Sequence, residues 1–331
     1  MVSVKCRYCD RPAVTIVRYA KLNLCTEHFS EFIESRVEET IKRYRMIKKG
    51  DRVVLAVSGG KDSVGLMYIM NSLSKRIGFS YTVLHIDLGI DEYSRRSRKV
   101  VEKHCRELGI DCIVIDLGID LGFTLPQFVS KLRTKRVCSL CGIVKRYIMN
   151  AVALETKADS IATAHHADDI LVYLFKNFIL QDYTFLKKLV PVSIGVEETV
   201  ATKIRPMYEI YERDIALYTI LKGLEFVDLE CPFKNVKGFE ESIKKFIDEI
   251  ENRAPGTKIS MLRKYAKTFS LDRQEKSIDL GRCSICGLIS QKDVCTFCKL
   301  TEKAFGQAKG SLVKEITRSR CTTYCVKPHL N

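Results

Sequence analysis

Apolar positions follow two alternating rhythms between residues 50 and 230. Short, largely β-branched runs at 52–57, 81–88, 111–117 and 159–164, with a further one near 225–229, predict strands. Between them, apolar residues recurring every three or four positions predict helices over 62–77, 92–108, 142–156, 167–180 and 211–223. Such alternation makes an α/β fold, a doubly wound parallel sheet with ligands at the carboxyl ends of its strands. Residues 31–48 read as an amphipathic connecting helix, and 238–269 as two more helices divided at Pro255-Gly256.

The first strand ends in Ser58-Gly59-Gly60-Lys61-Asp62-Ser63 and runs straight into a helical pattern. Backbone N–H groups of such a loop, with the positive end of the helix, make an anion cradle. Glycines let the backbone approach a phosphate, because no Cβ intervenes. Lys61 adds a full charge. A Walker A loop is excluded: Leu55 stands where its first Gly belongs, and Asp62 where Ser or Thr must follow the lysine. The segment resembles the SGGxDS PP-loop of the N-type ATP pyrophosphatase superfamily, which cleaves ATP between its α and β phosphates.

Cysteines change the picture at both ends. Cys6, Cys9, Cys25 and His28 are spaced C-x2-C and C-x2-H; Cys283, Cys286, Cys295 and Cys298 form C-x2-C-x8-C-x2-C, with Gly287 after the first pair. Each set fills all four positions of a tetrahedral Zn²⁺, the signature of a structural site with no position left open for chemistry. A third pair, Cys138 and Cys141, has only Cys231 for company. Three thiolates on an iron–sulfur cluster would leave one iron open; on spacing alone, a cluster and a persulfide-carrying cysteine read equally well. Lys145, four residues after Cys141, lies on the same helical face, where its charge would stabilise developing anion. Ala162-Thr163-Ala164-His165-His166-Ala167-Asp168-Asp169 follows the fourth strand and opens a helix. A carboxylate there would hold Mg²⁺ on the phosphates or orient a base, although acids at a helix start are also favoured by the dipole alone.

Lys plus Arg number 55 against 40 Asp plus Glu, an excess of +15 that suits a polyanionic partner. Basic residues cluster at Lys42, Arg43, Arg45, Lys48 and Lys49; at Arg95, Arg96, Arg98 and Lys99; at Lys131, Arg133, Lys135 and Arg136; and at Lys309, Lys314, Arg318 and Arg320. Four runs point to nucleic acid. With no Trp, base stacking would fall to Tyr, Phe or Arg. The first 20 residues lack a signal-peptide core, and no apolar stretch approaches membrane-spanning length, so a cytoplasmic protein with no membrane partner is expected.

Together SGGKDS, the segment His85-Ile86-Asp87-Leu88-Gly89-Ile90, CSLCGIVKRY, AHHADD and Glu230-Cys231-Pro232 resemble the tRNA 2-thiouridine synthetase (TtuA-like) family. The resemblance spans nearly the whole chain, both zinc modules included. It implies a PP-loop fold of the adenine nucleotide α-hydrolase (HUP) type, with small N- and C-terminal zinc-binding modules. It divides the chain into a zinc finger (1–30), a connecting helix (31–50), a PP-loop catalytic domain (51–235), a helical extension (236–275), a zinc ribbon (281–300) and a basic tail (301–331). It implies a 4Fe–4S cluster on Cys138, Cys141 and Cys231, two Zn²⁺, Mg²⁺, and ATP as substrate. ATP contacts fall at Ala56, Ser58, Gly59, Gly60, Lys61, Asp62, Ser63, His85, Ile86 and Ala164, and the catalytic pair at Lys145 and Asp169. The implied reaction adenylates uracil O2 of a tRNA uridine and replaces that oxygen with cluster-bound sulfide. The resemblance also implies sulfur from a ubiquitin-like thiocarboxylate carrier or free sulfide, and allows a homodimer. GIDEYSRRS and ECPFKNVKG resemble the branch acting on the T-loop ribothymidine position. The alternatives are the wobble-uridine branch, another PP-loop tRNA-modifying ligase, or a non-catalytic zinc tRNA-binding protein. Ala164 departs from the family's Gly before His, which is tolerable only if its φ is negative. Cys321 and Cys325 have no counterpart in the pattern.

Overall fold

The computed structural model describes residues 4–196, 200–233, 238–270 and 281–324. In chain order, β1 (Thr15–Val17) and β2 (Leu22–Leu24) form an antiparallel ribbon, followed by α1 (Thr26–Arg43). The α/β layer then runs through β3 (Arg52–Ala56), α2 (Lys61–Ile77), β4 (Ser80–Asp87), α3 (Asp91–Leu108) and β5 (Cys112–Asp116). Next come α4 (Leu117–Leu121), α5 (Leu125–Leu132), α6 (Val137–Glu155), β6 (Ser160–Ala162), α7 (Ala167–Ile179), α8 (Tyr183–Leu186), β7 (Val192–Ser193), β8 (Thr202–Ile204) and α9 (Glu212–Leu221). The extension is α10 (Phe239–Arg253) and α11 (Thr257–Ser270), and the last module is β9 (Gly281–Arg282), β10 (Ile289–Ser290), α12 (Thr296–Phe305) and α13 (Gly310–Tyr324).

Six strands form one sheet in the order β5-β4-β3-β6-β8-β7, parallel except for β7 against β8. Strand order reverses around β3, so the crevice lies beyond the carboxyl ends of β3 and β6. The PP-loop follows β3, and the His-His-Ala-Asp-Asp segment follows β6. Those two sequence motifs therefore face one another across the switch point.

The sheet is covered on both sides. Leu55, Leu66, Met70, Ile33 and Ile215 belong to one buried cluster, which also takes in Cys6, Val17, Leu24 and Cys25. Val54, Ile113, Val144, Ile148 and Ile161 belong to a second, which also takes in Cys283, Cys286, Phe297 and Val313. Each terminal module therefore borrows its core from the sheet's flanking layers, as units too small to bury their own must. A third cluster joins Ile170 and Leu171 of α7 to Ile243, Ile247 and Leu262 of the extension.

Two expectations are corrected. Residues 225–229 form no strand; they pass the PP-loop, where the Val227 N–H donates to the Gly59 carbonyl at 2.9 Å. The fifth parallel strand is β8, whose Thr202-Lys203-Ile204 is too short and polar to show as an apolar run. And α6 is long and apolar enough to cross a membrane by composition, contrary to the reading that no stretch approaches that length. Its apolar face, with Leu140, Val144, Ile148 and Val152, instead packs in the second cluster. Cys325 lies outside the described residues.

Candidate active site

The PP-loop is built by a hydroxyl relay. The Ser63 hydroxyl donates to the Gly60 carbonyl at 2.9 Å and accepts the Ser58 N–H at 3.2 Å, with the Ser58 hydroxyl 3.1 Å away. Gly59 has φ +88°, and a Cβ there would sit 2.9 Å from the Ser97 carbonyl, so only glycine fits. Gly60 caps α2 without a side-chain acceptor, which leaves the first-turn N–H groups free for an anion. Lys61 sits at that end, its ammonium 2.9 Å from both Asp62 and Glu212. Burial works against its charge, but the two carboxylates outweigh it and raise its pKa. Burial raises the Asp62 carboxyl, with His166 and Lys61 opposing.

Across the crevice, His166 caps α7. The Asp169 N–H donates to its Nδ1, and its own N–H donates to the Asp169 carboxylate, both at 3.4 Å. The two acids of this motif part company. Asp168 is buried, accepting the Glu212 N–H at 2.6 Å and the Lys258 ammonium. The Asp169 side chain stays 40% exposed, open to a ligand. Ala164 is absent from the residues with positive φ, so its methyl is accommodated where the resembled family has glycine.

His85 is buried at the end of β4. Its Nδ1 lies 2.9 Å from the Val57 carbonyl. A carbonyl only accepts, so Nδ1 carries the proton, and Nε2 is a buried lone pair without a partner. Burial, opposed by that carbonyl, lowers its pKa and keeps the ring neutral. Ile86 beside it faces β5 across the ladder.

α6 begins at Val137, five residues before the expected start at 142, so Cys138 and Cys141 lie within its first two turns. The Cys138 Sγ lies 3.7 Å from the Phe233 carbonyl, which brings the Cys231 segment over that turn. Burial raises the Cys141 thiol; the Lys145 ammonium opposes this, while Cys231 and Cys138 add to it. After burial, the same Lys145 charge also disfavours protonation of His85. Lys145 therefore acts electrostatically on both the Cys141 thiol and the His85 imidazole, one helical turn after Cys141 as its spacing predicts.

Among the described residues, two four-ligand sets converge to within 4.8 Å: Cys6, Cys9, Cys25 and His28, and Cys283, Cys286, Cys295 and Cys298. Backbone N–H groups of Tyr8, Cys295 and Cys298 donate to their sulfurs at 3.5, 3.2 and 3.4 Å, and Gly287 takes the positive φ of a metal knuckle. Cys138, Cys141 and Cys231 do not close this tightly.

Sequence reasoning missed the extension's part in the site. Glu212 is gripped by Lys61 on one oxygen and Lys244 of α10 on the other. Burial is outweighed by these lysines, and its carboxyl falls to about 2. Lys258 of α11 pins Asp168. These groups border a cavity of about 450 Å³ between the PP-loop and α10. Only tertiary packing unites them, and no local motif marks them. Asp168→Asn should halve the carboxylate support of a buried ammonium and cost about 3 kcal/mol, the low end for a broken buried pair, because Lys258 keeps Asp248. Urea unfolding checks this; an unchanged midpoint would deny Asp168 its anchoring role.

Family models match at residues 29–231 (PP-loop domain) and 5–30 (2-thiouridine synthetase TtuA, N-terminal LIM domain). A tRNA-5-methyluridine(54) 2-sulfurtransferase of Pyrococcus horikoshii is 36% identical over 299 residues, 89% of this chain and 93% of that protein. The chain belongs to the TtuA family of PP-loop tRNA 2-sulfurtransferases. A relative in Thermus thermophilus with the same description as the Pyrococcus protein is 35% identical over 307 residues, covering 92% of this chain and 93% of the relative. Among solved structures, the U34-tRNA thiolase NcsA from Methanococcus maripaludis with its [4Fe-4S] cluster matches with a TM-score of 0.74 at 28% identity, over 92% of this chain and 96% of that one. Family membership makes the chain an ATP-dependent sulfurtransferase.

Proposed function

We propose that this protein replaces the C2 oxygen of a tRNA uridine with sulfur, at the T-loop ribothymidine position. The observation carrying the reading is the meeting of three groups at one end of the sheet: the uncapped PP-loop, the half-exposed Asp169, and Lys145 beside three cysteines. The T-loop assignment rests on full-length similarity to enzymes named for position 54 and on the N-terminal module.

ATP lies with its adenine against the backbone of His85 and Ile86, beside Ala56 and Ala164, and its phosphates on Ser58 to Ser63. Uracil O2 attacks the α-phosphate, giving an adenylated base and pyrophosphate. The free N–H groups of α2 and the Lys61 ammonium take up the leaving charge, exchanging Glu212 and Asp62 for phosphate oxygens. Asp169 orients the base or holds Mg²⁺ on the phosphates. Cys138, Cys141 and Cys231 would hold a 4Fe–4S cluster, which supplies when bound an iron position for sulfide. Lys145 neutralises negative charge as sulfide displaces AMP at C2, a far better leaving group than the original oxygen. Zn²⁺ in the two tetrahedral sets has a structural role. Delivery of sulfur by a ubiquitin-like thiocarboxylate carrier or as free sulfide, action in the cytoplasm and pairing into a homodimer complete the reading.

One observation favours a second reading: a wobble-uridine thiolase shares the fold at a TM-score of 0.74. Substrate size separates the two. A T-loop uridine sits inside the tRNA elbow, so full-length tRNA should be thiolated and an isolated anticodon stem-loop ignored. Nuclease mapping locates the product; sulfur at the wobble position would transfer the assignment to that branch.

A further inference from the structure

The end of α7, α8 and the β7–β8 pair present a face that is apolar and basic at once. Tyr173, Phe178, Leu180, Tyr183 and Phe185 are 43–60% exposed, and Ile194 is 63% exposed. Exposure on this scale in one stretch of chain marks an interaction surface.

Its cations are unusual. The Arg205 guanidinium donates to the Val190 carbonyl at 2.5 Å, the Ser193 hydroxyl at 3.3 Å and the Lys188 carbonyl at 3.1 Å, all neutral oxygens. Lys188 lies 5.3 Å from the centre of the Phe185 ring. Burial, and then the like charges of Arg146, Arg205 and Lys188, hold the Lys203 ammonium below its ordinary range. None of these four cations is ion-paired to a carboxylate among the described residues. Several basic runs singled out from sequence behave oppositely. Arg95 and Arg96 share Glu92, Arg98 takes Glu102 and Asp116, Arg318 takes Glu155, and Arg320 takes Asp120. On this face, by contrast, the cations meet neutral oxygens and an aromatic ring.

The face is continuous with the active site. Burial raises the Tyr173 hydroxyl, followed by Asp169, Glu240 and Cys138, with Arg146 opposing. Tyr173 follows Asp169 by four residues on α7, so the two share a helical face and the patch adjoins the site.

We propose that this face receives the RNA strand around the target uridine, with Arg146, Lys188, Lys203 and Arg205 on phosphates and Tyr183 and Phe185 stacking on unpaired bases. The inference rests on the tRNA reading above. Charge complementarity selects RNA over a second copy of this chain: in a two-fold interface the same patch meets itself, and four unpaired cations would confront four more. A polyanion removes that cost, and aromatic rings accept any base face.

The test is tRNA binding by fluorescence anisotropy across a salt series. Lys188→Gln/Lys203→Gln should weaken binding at least tenfold and flatten the log–log salt slope by roughly two, one per lost phosphate contact. Tyr183→Ala/Phe185→Ala should weaken it at least tenfold with the slope unchanged, since stacking releases no counterions. Thermal unfolding checks that both fold; the aromatic pair is exposed, so its loss leaves the core intact. If wild type binds tRNA with a steep slope and both variants match it, the placement is wrong. If the aromatic variant keeps its tRNA affinity but changes the sedimentation mass of the free protein, the face joins copies of the chain. If wild type itself shows no salt-dependent tRNA binding, the tRNA reading fails and takes the placement with it.

Discussion

Replacing any one of Cys138, Cys141 or Cys231 by Ala is expected to abolish thiolation while leaving both four-ligand metal sets loaded. The effect is large because a three-thiolate cluster has no spare donor, and loss of one leaves two irons' worth of positions unprotected. Cys138 is exposed and Cys141 half-buried at the start of α6, so neither substitution opens a cavity in the core. Anaerobic reconstitution of the native chain should give about four irons in the cluster. Iron and sulfide analysis reads the loss in each variant, and metal analysis reads the retained pair of ions. Full activity in any single variant would sink the cluster assignment.

Lys61→Ala is expected to slow ATP turnover by about 10²-fold or more, the usual size of losing one preorganised charge on a developing anion. The lysine sits on the first turn of α2 with a partly exposed side chain, so its removal takes nothing from the core. Glu212 keeps Lys244, which holds the extension in place. Pyrophosphate release measured with tRNA and ATP gives the result. Normal turnover would reduce the loop to a structural turn and remove the enzyme class.

The residues that announced themselves in sequence were those whose chemistry needs a local pattern. Gly59 must be glycine because Ser97 crowds it, and its neighbours Ser58 and Ser63 bond to one another five residues apart; such a loop leaves a contiguous trace. Cys141 and Lys145 share a helical face for the same reason. The tetrahedral sets are legible because a metal fixes ligand spacing along the chain. Sequence was silent where the arrangement depends on distant segments meeting. Glu212, Lys244 and Lys258 come from three helices, and only the third buried cluster brings them to the PP-loop and to Asp168. The short strand β8 was hidden because a central position of three residues holds Lys203, while the more apolar 225–229 misled by composition. Charge runs misled likewise: a sequence counts cations but not the carboxylates opposite them, so Arg95 and Arg98 looked free and Arg205 drew no notice.

The central claim is ATP-dependent exchange of oxygen for sulfur on a tRNA uridine. The most direct measurement incubates the anaerobically reconstituted protein with full-length tRNA, sulfide and ATP, then digests the tRNA and analyses its nucleosides by mass spectrometry. The account predicts one 2-thiouridine-type nucleoside, formed only with ATP and accompanied by AMP and pyrophosphate. Intact uridine with ATP present, or thiolation proceeding equally without ATP, would contradict it.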